Sequence, residues 1–108
     1  MSPAAIARAT QPPAQHVPAR WTLIAPGWDK PVPFAHVEDL AERLSSDAKG
    51  EPIVLSAITC TYPGYDTFQA LKVEAMDGQS GQRTYVGVVV AAASDAATIQ
   101  TAVRQAGA

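Results

Sequence analysis

"TCTYPGYDTF", Thr59 to Phe68, holds the chain's only cysteine, two of its three tyrosines, a Pro-Gly pair and an aspartate. A cysteine beside tyrosines and a carboxylate has the makings of a reaction centre. The same stretch has the makings of a corner between two strands. Tyr62-Pro63-Gly64-Tyr65 meets the demands of a type II turn, because proline fixes φ at the second position and glycine supplies the positive φ required at the third. The turn reading decides the fold, since a tight turn makes the strands on either side antiparallel neighbours.

Upstream of the turn, Pro52–Tyr62 alternates Val54, Ser56, Ile58 and Cys60 with Ile53, Leu55, Ala57 and Thr59. Apolar groups on both faces favour an interior strand, with the threonines marking growing exposure towards its end. Downstream, Asp66–Asp77 puts Phe68 and Ala70 on one parity and Leu71, Val73 and Ala75 on the other. Either a bulge near Ala70 or burial on different faces at the two ends accounts for that switch. "GQSGQ", Gly78–Gln82, then forms a hairpin loop to Arg83–Ala93, the most apolar strand. Gly87 inside it marks a place where a neighbouring side chain lies across the backbone.

Two helices and one further strand complete the pattern. Val37, Leu40, Ala41 and Leu44 repeat at helical spacing within His36–Ser46, behind a face of Glu38, Asp39, Glu42 and Arg43, and Lys49-Gly50 closes the element. A second helix runs over Asp95–Gln105, capped by Ser94, packed through Ala92, Ala96, Ile99, Val103 and Ala106, and stopped by Gly107. Arg20–Pro26 reads as a strand and "GWDKPVP" after it as a loop. The order is β-α-β-β-β-α, an α+β class: a two-layer antiparallel sheet with helices on one face.

Residues 1–19 carry four prolines and little bulky apolar surface, which marks a disordered tail ahead of one domain over residues 20–108. The tail lacks the charged start and apolar run of a secretory signal, and no stretch of the chain reaches the length of a membrane span. A single cysteine excludes an internal disulfide framework and fits the reducing cytoplasm. From Trp21 onward six Lys/Arg stand singly against ten Asp/Glu. Nucleic-acid binding needs clustered cations, so it is not expected.

The order of elements is similar to two known arrangements. One is the β-α-β-β-β module of the vicinal oxygen chelate proteins, which hold a metal with His and Glu from strands. Here His16 and His36 lie outside the expected strands, the similarity is one of element order alone, and no metal or other cofactor is expected. The other is the α-β-β-β-α order of double-stranded RNA-binding domains. Where those carry a lysine cluster at the second helix, this chain has Ser94-Asp95-Ala96-Ala97.

Cys60 shares strand parity with Val54 and Ile58, and nothing in the sequence brings a histidine to it, so packing is the expected role. What the turn leaves unexplained is its flanking aromatics. Pro26-Gly27-Trp28-Asp29 repeats the pattern of Pro63-Gly64-Tyr65-Asp66. If both turns lie at one end of the sheet, Trp28, Asp29, Tyr62, Tyr65 and Asp66 form a binding surface, because aromatics offer large contact area at small entropy cost. The expected function is a non-enzymatic accessory or regulatory module that binds another protein or itself as a homodimer. The alternative is a small-molecule binder or enzyme with a pocket between sheet and helices, or across a dimer. That alternative would use Tyr62, Tyr65 and Asp66 with His36 or Glu74.

Overall fold

Each helix is held by one apolar stripe. The computed structural model describes residues 19–27, 30–61, 63–64 and 66–107; the expected tail over residues 1–18 lies outside them. In α1 (Val37–Asp47) the side chains of Leu40, Ala41 and Leu44 are buried, and Ala48 just beyond them is buried too. His36 stands ahead of the helix in extended backbone, and its carbonyl accepts the N–H groups of Asp39 and Leu40 at 3.2 and 3.3 Å. The far end closes through Lys49 and Gly50, at φ 56° and 80°. Their N–H groups return to the Ser46 and Ser45 carbonyls, each at 3.0 Å.

α2 (Ala96–Ala106) buries Ile99 and Val103. Its start differs from the expected Ser94 cap. A single 3-10 turn, Ala93–Asp95, leads in, and Asp95 donates its N–H to the Ala92 carbonyl at 2.9 Å. The tighter turn satisfies a backbone donor that a side-chain cap would otherwise hold.

The strands are β1 (Trp21–Ile24), β2 (Val32–Phe34), β3 (Ile53–Cys60), β4 (Phe68–Met76) and β5 (Arg83–Val90). They form one five-stranded antiparallel sheet in the order β2-β1-β5-β4-β3. The α+β class and the β-α-β-β-β-α order are those the sequence pattern implies. The structure adds β2 within the expected "GWDKPVP" loop, and Pro33 is tolerated there because the strand lies at the sheet's edge.

β3 corrects the expectation of an interior strand: among the described residues it is the opposite edge, paired with β4 alone in an unbroken register from Ile53↔Ala75 to Cys60↔Phe68. β5 is the central strand, and its Val86, Gly87, Val88 and Val89 are buried. The register irregularity falls between β4 and β5, where Val73 faces Gly87 and Glu74 faces Tyr85. β4 therefore passes Ala70 without a bulge on its β3 side, and the switch of parity reflects burial on different faces. Gly87 is required by backbone: a Cβ there would lie 2.8 Å from the Ile24 carbonyl oxygen and 3.2 Å from Leu23 Cδ1.

Opposed residues in a register share a face. Trp21, Leu23, Leu71, Val73, Ala75, Val86 and Val89 meet the two helices in the main core with Leu40, Leu44, Ile99 and Val103. Burying each of the larger side chains contributes about 1.5–3 kcal/mol relative to exposure. The other face of the sheet carries a smaller cluster of Cys60, Ala70 and Val88, flanked by Ile58 and Phe68.

Candidate functional site

The face away from the helices divides into two halves. One half is charged. Glu74 lies opposite Tyr85 and Val54 and is reached by Lys72 Nζ at 4.0 Å and an Arg83 guanidinium nitrogen at 3.6 Å. Tyr85 is the one large apolar side chain of the described residues that stands exposed, at 43%. Partial burial raises its phenol above the usual value.

The other half is apolar and concave. A cleft of about 450 Å³ opens there, walled by Thr22 and Ile24 of β1, Val90 of β5 and Phe68 of β4. Its rim comes from the two Pro-Gly connections. Pro31 follows the first, and Asp66 and Thr67 follow the second. Both turns have the backbone their sequences require, with Gly27 at φ 87° and Gly64 at φ 86°. The Thr61 and Thr67 hydroxyl groups meet at 3.5 Å across the base of the second connection.

Of the residues singled out in the sequence, Asp66 is exposed and lies on the cleft wall. Trp28, Asp29, Tyr62 and Tyr65 lie outside the described residues. Cys60 is buried against Ala70, Val88, Ile58 and Phe68, an apolar packing environment. Of Asp66, His36 and Glu74, the described residues named for the ligand-binding alternative, Asp66 alone lines the cleft. His36 is exposed ahead of α1, and Glu74 lies six positions along β4 from Phe68, roughly 20 Å at strand rise. The cleft itself lies on the face of the sheet away from the helices, not between sheet and helices.

The sequence pattern missed Thr22, Ile24 and Val90 as cleft walls. Their meeting with Phe68 depends on β1 lying beside β5 and β5 beside β4, which strand periodicity does not encode. Phe68 did carry a signal: it is apolar on the parity opposite to Leu71, Val73 and Ala75.

Among the described residues no group of three His, Cys, Asp or Glu could hold a metal ion, and no helix is long and apolar enough to cross a membrane. The chain matches no family model, no curated protein and no solved structure.

Proposed function

We propose that this protein is a small non-enzymatic protein-interaction module of accessory or regulatory type, which self-associates and meets a partner protein through the open face of its sheet. The observation that supports this reading most is the asymmetry of the sheet. Two helices cover one face, while the other presents an apolar hollow walled by Ile24, Phe68 and Val90. An apolar patch rimmed by polar groups is the usual mark of a protein contact. Trp28, Asp29, Tyr62, Tyr65 and Asp66 are the proposed rim, since Pro31, Asp66 and Thr67 already border the hollow.

Light scattering of the full chain over a range of concentrations tests self-association. The reading expects twice the 11.3 kDa of one chain, and a mass that stays at one chain throughout overturns it. The rim is tested by a Trp28→Ala/Tyr65→Ala variant used beside the unchanged chain in capture from the source lysate. The expected result is loss of the captured protein with an unchanged melting temperature. A loss of several kcal/mol of stability, on the order of a core truncation, would make the two aromatics structural.

The cleft volume also favours a second reading, because about 450 Å³ falls within the ~300–1,000 Å³ of ligand pockets. Under it the protein takes a small apolar molecule, with Asp66 setting its orientation. Saturable one-to-one binding of a fluorescent apolar probe, abolished by Val90→Trp, would select this reading over the first.

A further inference from the structure

The outer side of β3 is a second surface, and its backbone specifies what pairs with it. Met76 donates its N–H to the Pro52 carbonyl at 2.9 Å. Backbone groups alternate in direction along a strand, so Val54, Ser56, Ile58 and Cys60 point theirs at β4. Ile53, Leu55, Ala57 and Thr59 then point theirs away from the sheet. The side chain of Gln100 confirms that direction by donating to the Ile53 carbonyl at 3.1 Å from α2. Three residues remain with outward N–H and C=O groups that no described residue meets: Leu55, Ala57 and Thr59.

An exposed edge of this kind is ordinarily blunted by charge, proline, a bulge or shortness. β3 has none of these devices. It runs eight residues as IVLSAITC, and its register with β4 is continuous.

We infer that β3 pairs antiparallel with β3 of a second copy about a two-fold axis through Ala57, joining two five-stranded sheets into one. The inference rests on the self-association proposed above and names its surface. Three observations point to a second copy. The free groups are symmetric about Ala57, so an antiparallel copy presents Thr59 to Leu55, Ala57 to Ala57 and Leu55 to Thr59. The strand holds no charged side chain, so self-pairing opposes no like charges.

The helix layer supplies the third. It buries Ile53 and packs on Leu55, but leaves Ala57, Thr59 and the neighbouring Gln69 exposed. A hollow of about 270 Å³ lies beside that uncovered half. The two-fold axis sets the covered half of each strand beside the uncovered half of the other. A register one step away, centred on Ser56, would need the Ile53 carbonyl that Gln100 already occupies.

In the Ala57-centred register the wide pairs bring Val54 opposite Cys60 of the second copy, on the open face. Directly opposed residues of a non-hydrogen-bonded pair have Cα atoms about 4.5 Å apart, within disulfide reach. Within one chain the same two positions lie six residues apart on one strand, roughly 20 Å. A disulfide between Cys60 and a cysteine introduced by Val54→Cys is therefore intermolecular.

The test uses the full chain and four variants. Ala57→Pro removes an outward N–H that an edge strand does not need for its own fold, and Ala57→Lys sets two ammonium groups opposite each other on the axis. Both are expected to keep the unchanged chain's circular dichroism and to raise the dimer dissociation constant by about thirtyfold or more. Val54→Cys is expected to cross-link two chains on mild oxidation, while Ser56→Cys is not. A dimer that survives both Ala57 variants overturns edge pairing and leaves self-association standing. Cross-linking by Ser56→Cys and not by Val54→Cys overturns the Ala57-centred register. An unchanged chain that is monomeric at every concentration overturns self-association itself, and edge pairing with it.

Discussion

The two edges of the sheet are built on opposite plans. β2 is three residues long, contains Pro33 and follows Pro31. β3 is eight residues long with neither proline nor charge. Both strands end a sheet, but only β2 carries the devices that keep an edge from pairing further. The two edges thus differ in kind: the β1–β2 pair ends one side with a short, proline-bearing strand, and β3 ends the other with outward backbone groups that no described residue meets.

The largest expected effect removes the support shared by both edges. Leu71 is fully buried on β4, between β5 and β3 and under the helices. Leu71→Ala should cost about 2–5 kcal/mol in denaturant unfolding and loosen the two edges together. A smaller loss would mean the main core collapses around the vacancy.

Gly87→Ala acts on the protected side. The new methyl group would meet the Ile24 carbonyl oxygen at 2.8 Å, so β1 must shift, at about 1–3 kcal/mol. Thermal unfolding measures the loss, and amide exchange should show it concentrated in β1 and β2. A neutral substitution would show that β1 has room to move.

On the open side, Gln100→Ala frees the Ile53 carbonyl. The expected stability cost is about 0.5–1.5 kcal/mol, one net hydrogen bond. The same change widens the difference between the edges, since the Ser56-centred register becomes available and Ser56→Cys in that background should then cross-link. Without cross-linking, Gln100 plays no part in choosing the register.

The smallest effect lies in the β4–β5 hairpin. The Asp77 carboxylate accepts the Gln79 and Ser80 N–H groups at 2.7 and 3.2 Å, and these bonds hold its pKa below the usual value near 3.8. A depressed carboxyl contributes above the unfolded-state value and loses that contribution as pH falls through the folded one. Lowering the pH through the folded-state value, which lies below 3.8, should therefore release the Gln79 and Ser80 amides, read by their chemical shifts, while the amides of β3 stay unchanged. Amides that do not respond would place the loop's order in its backbone bonds, such as Gly81 N–H to the Asp77 carbonyl at 2.8 Å.

Much of the fold was legible because side-chain periodicity reports faces. The stripe of Leu40, Ala41 and Leu44 marked α1, and Ile99 with Val103 marked α2. The Pro-Gly pair between β3 and β4 marked an antiparallel corner. Periodicity does not report edges, however. β3 has apolar groups on both parities because the helices cover one face and the Cys60–Ala70–Val88 cluster occupies the other, and neither fact concerns the strand's free backbone. β2 was hidden for the converse reason: Pro31 before it and Pro33 within it read as a loop, although an edge strand accommodates proline. Of the cleft's lining, the turn pattern pointed to Asp66 and strand parity to Phe68, whereas the walls from Thr22, Ile24 and Val90 belong to strands that become neighbours only through the sheet order.

Whether β3 is the edge built to be paired is decided by hydrogen exchange of individual amides in the full chain at dimer-forming concentration. Leu55, Ala57 and Thr59, whose N–H groups face away from β4, are expected to exchange slowly in the unchanged chain. In Ala57→Pro, Leu55 and Thr59 should become fast while Val54, Ser56 and Ile58 remain protected by β4. Fast exchange at Leu55, Ala57 and Thr59 in the unchanged chain, at a concentration where light scattering shows a dimer, would contradict edge pairing.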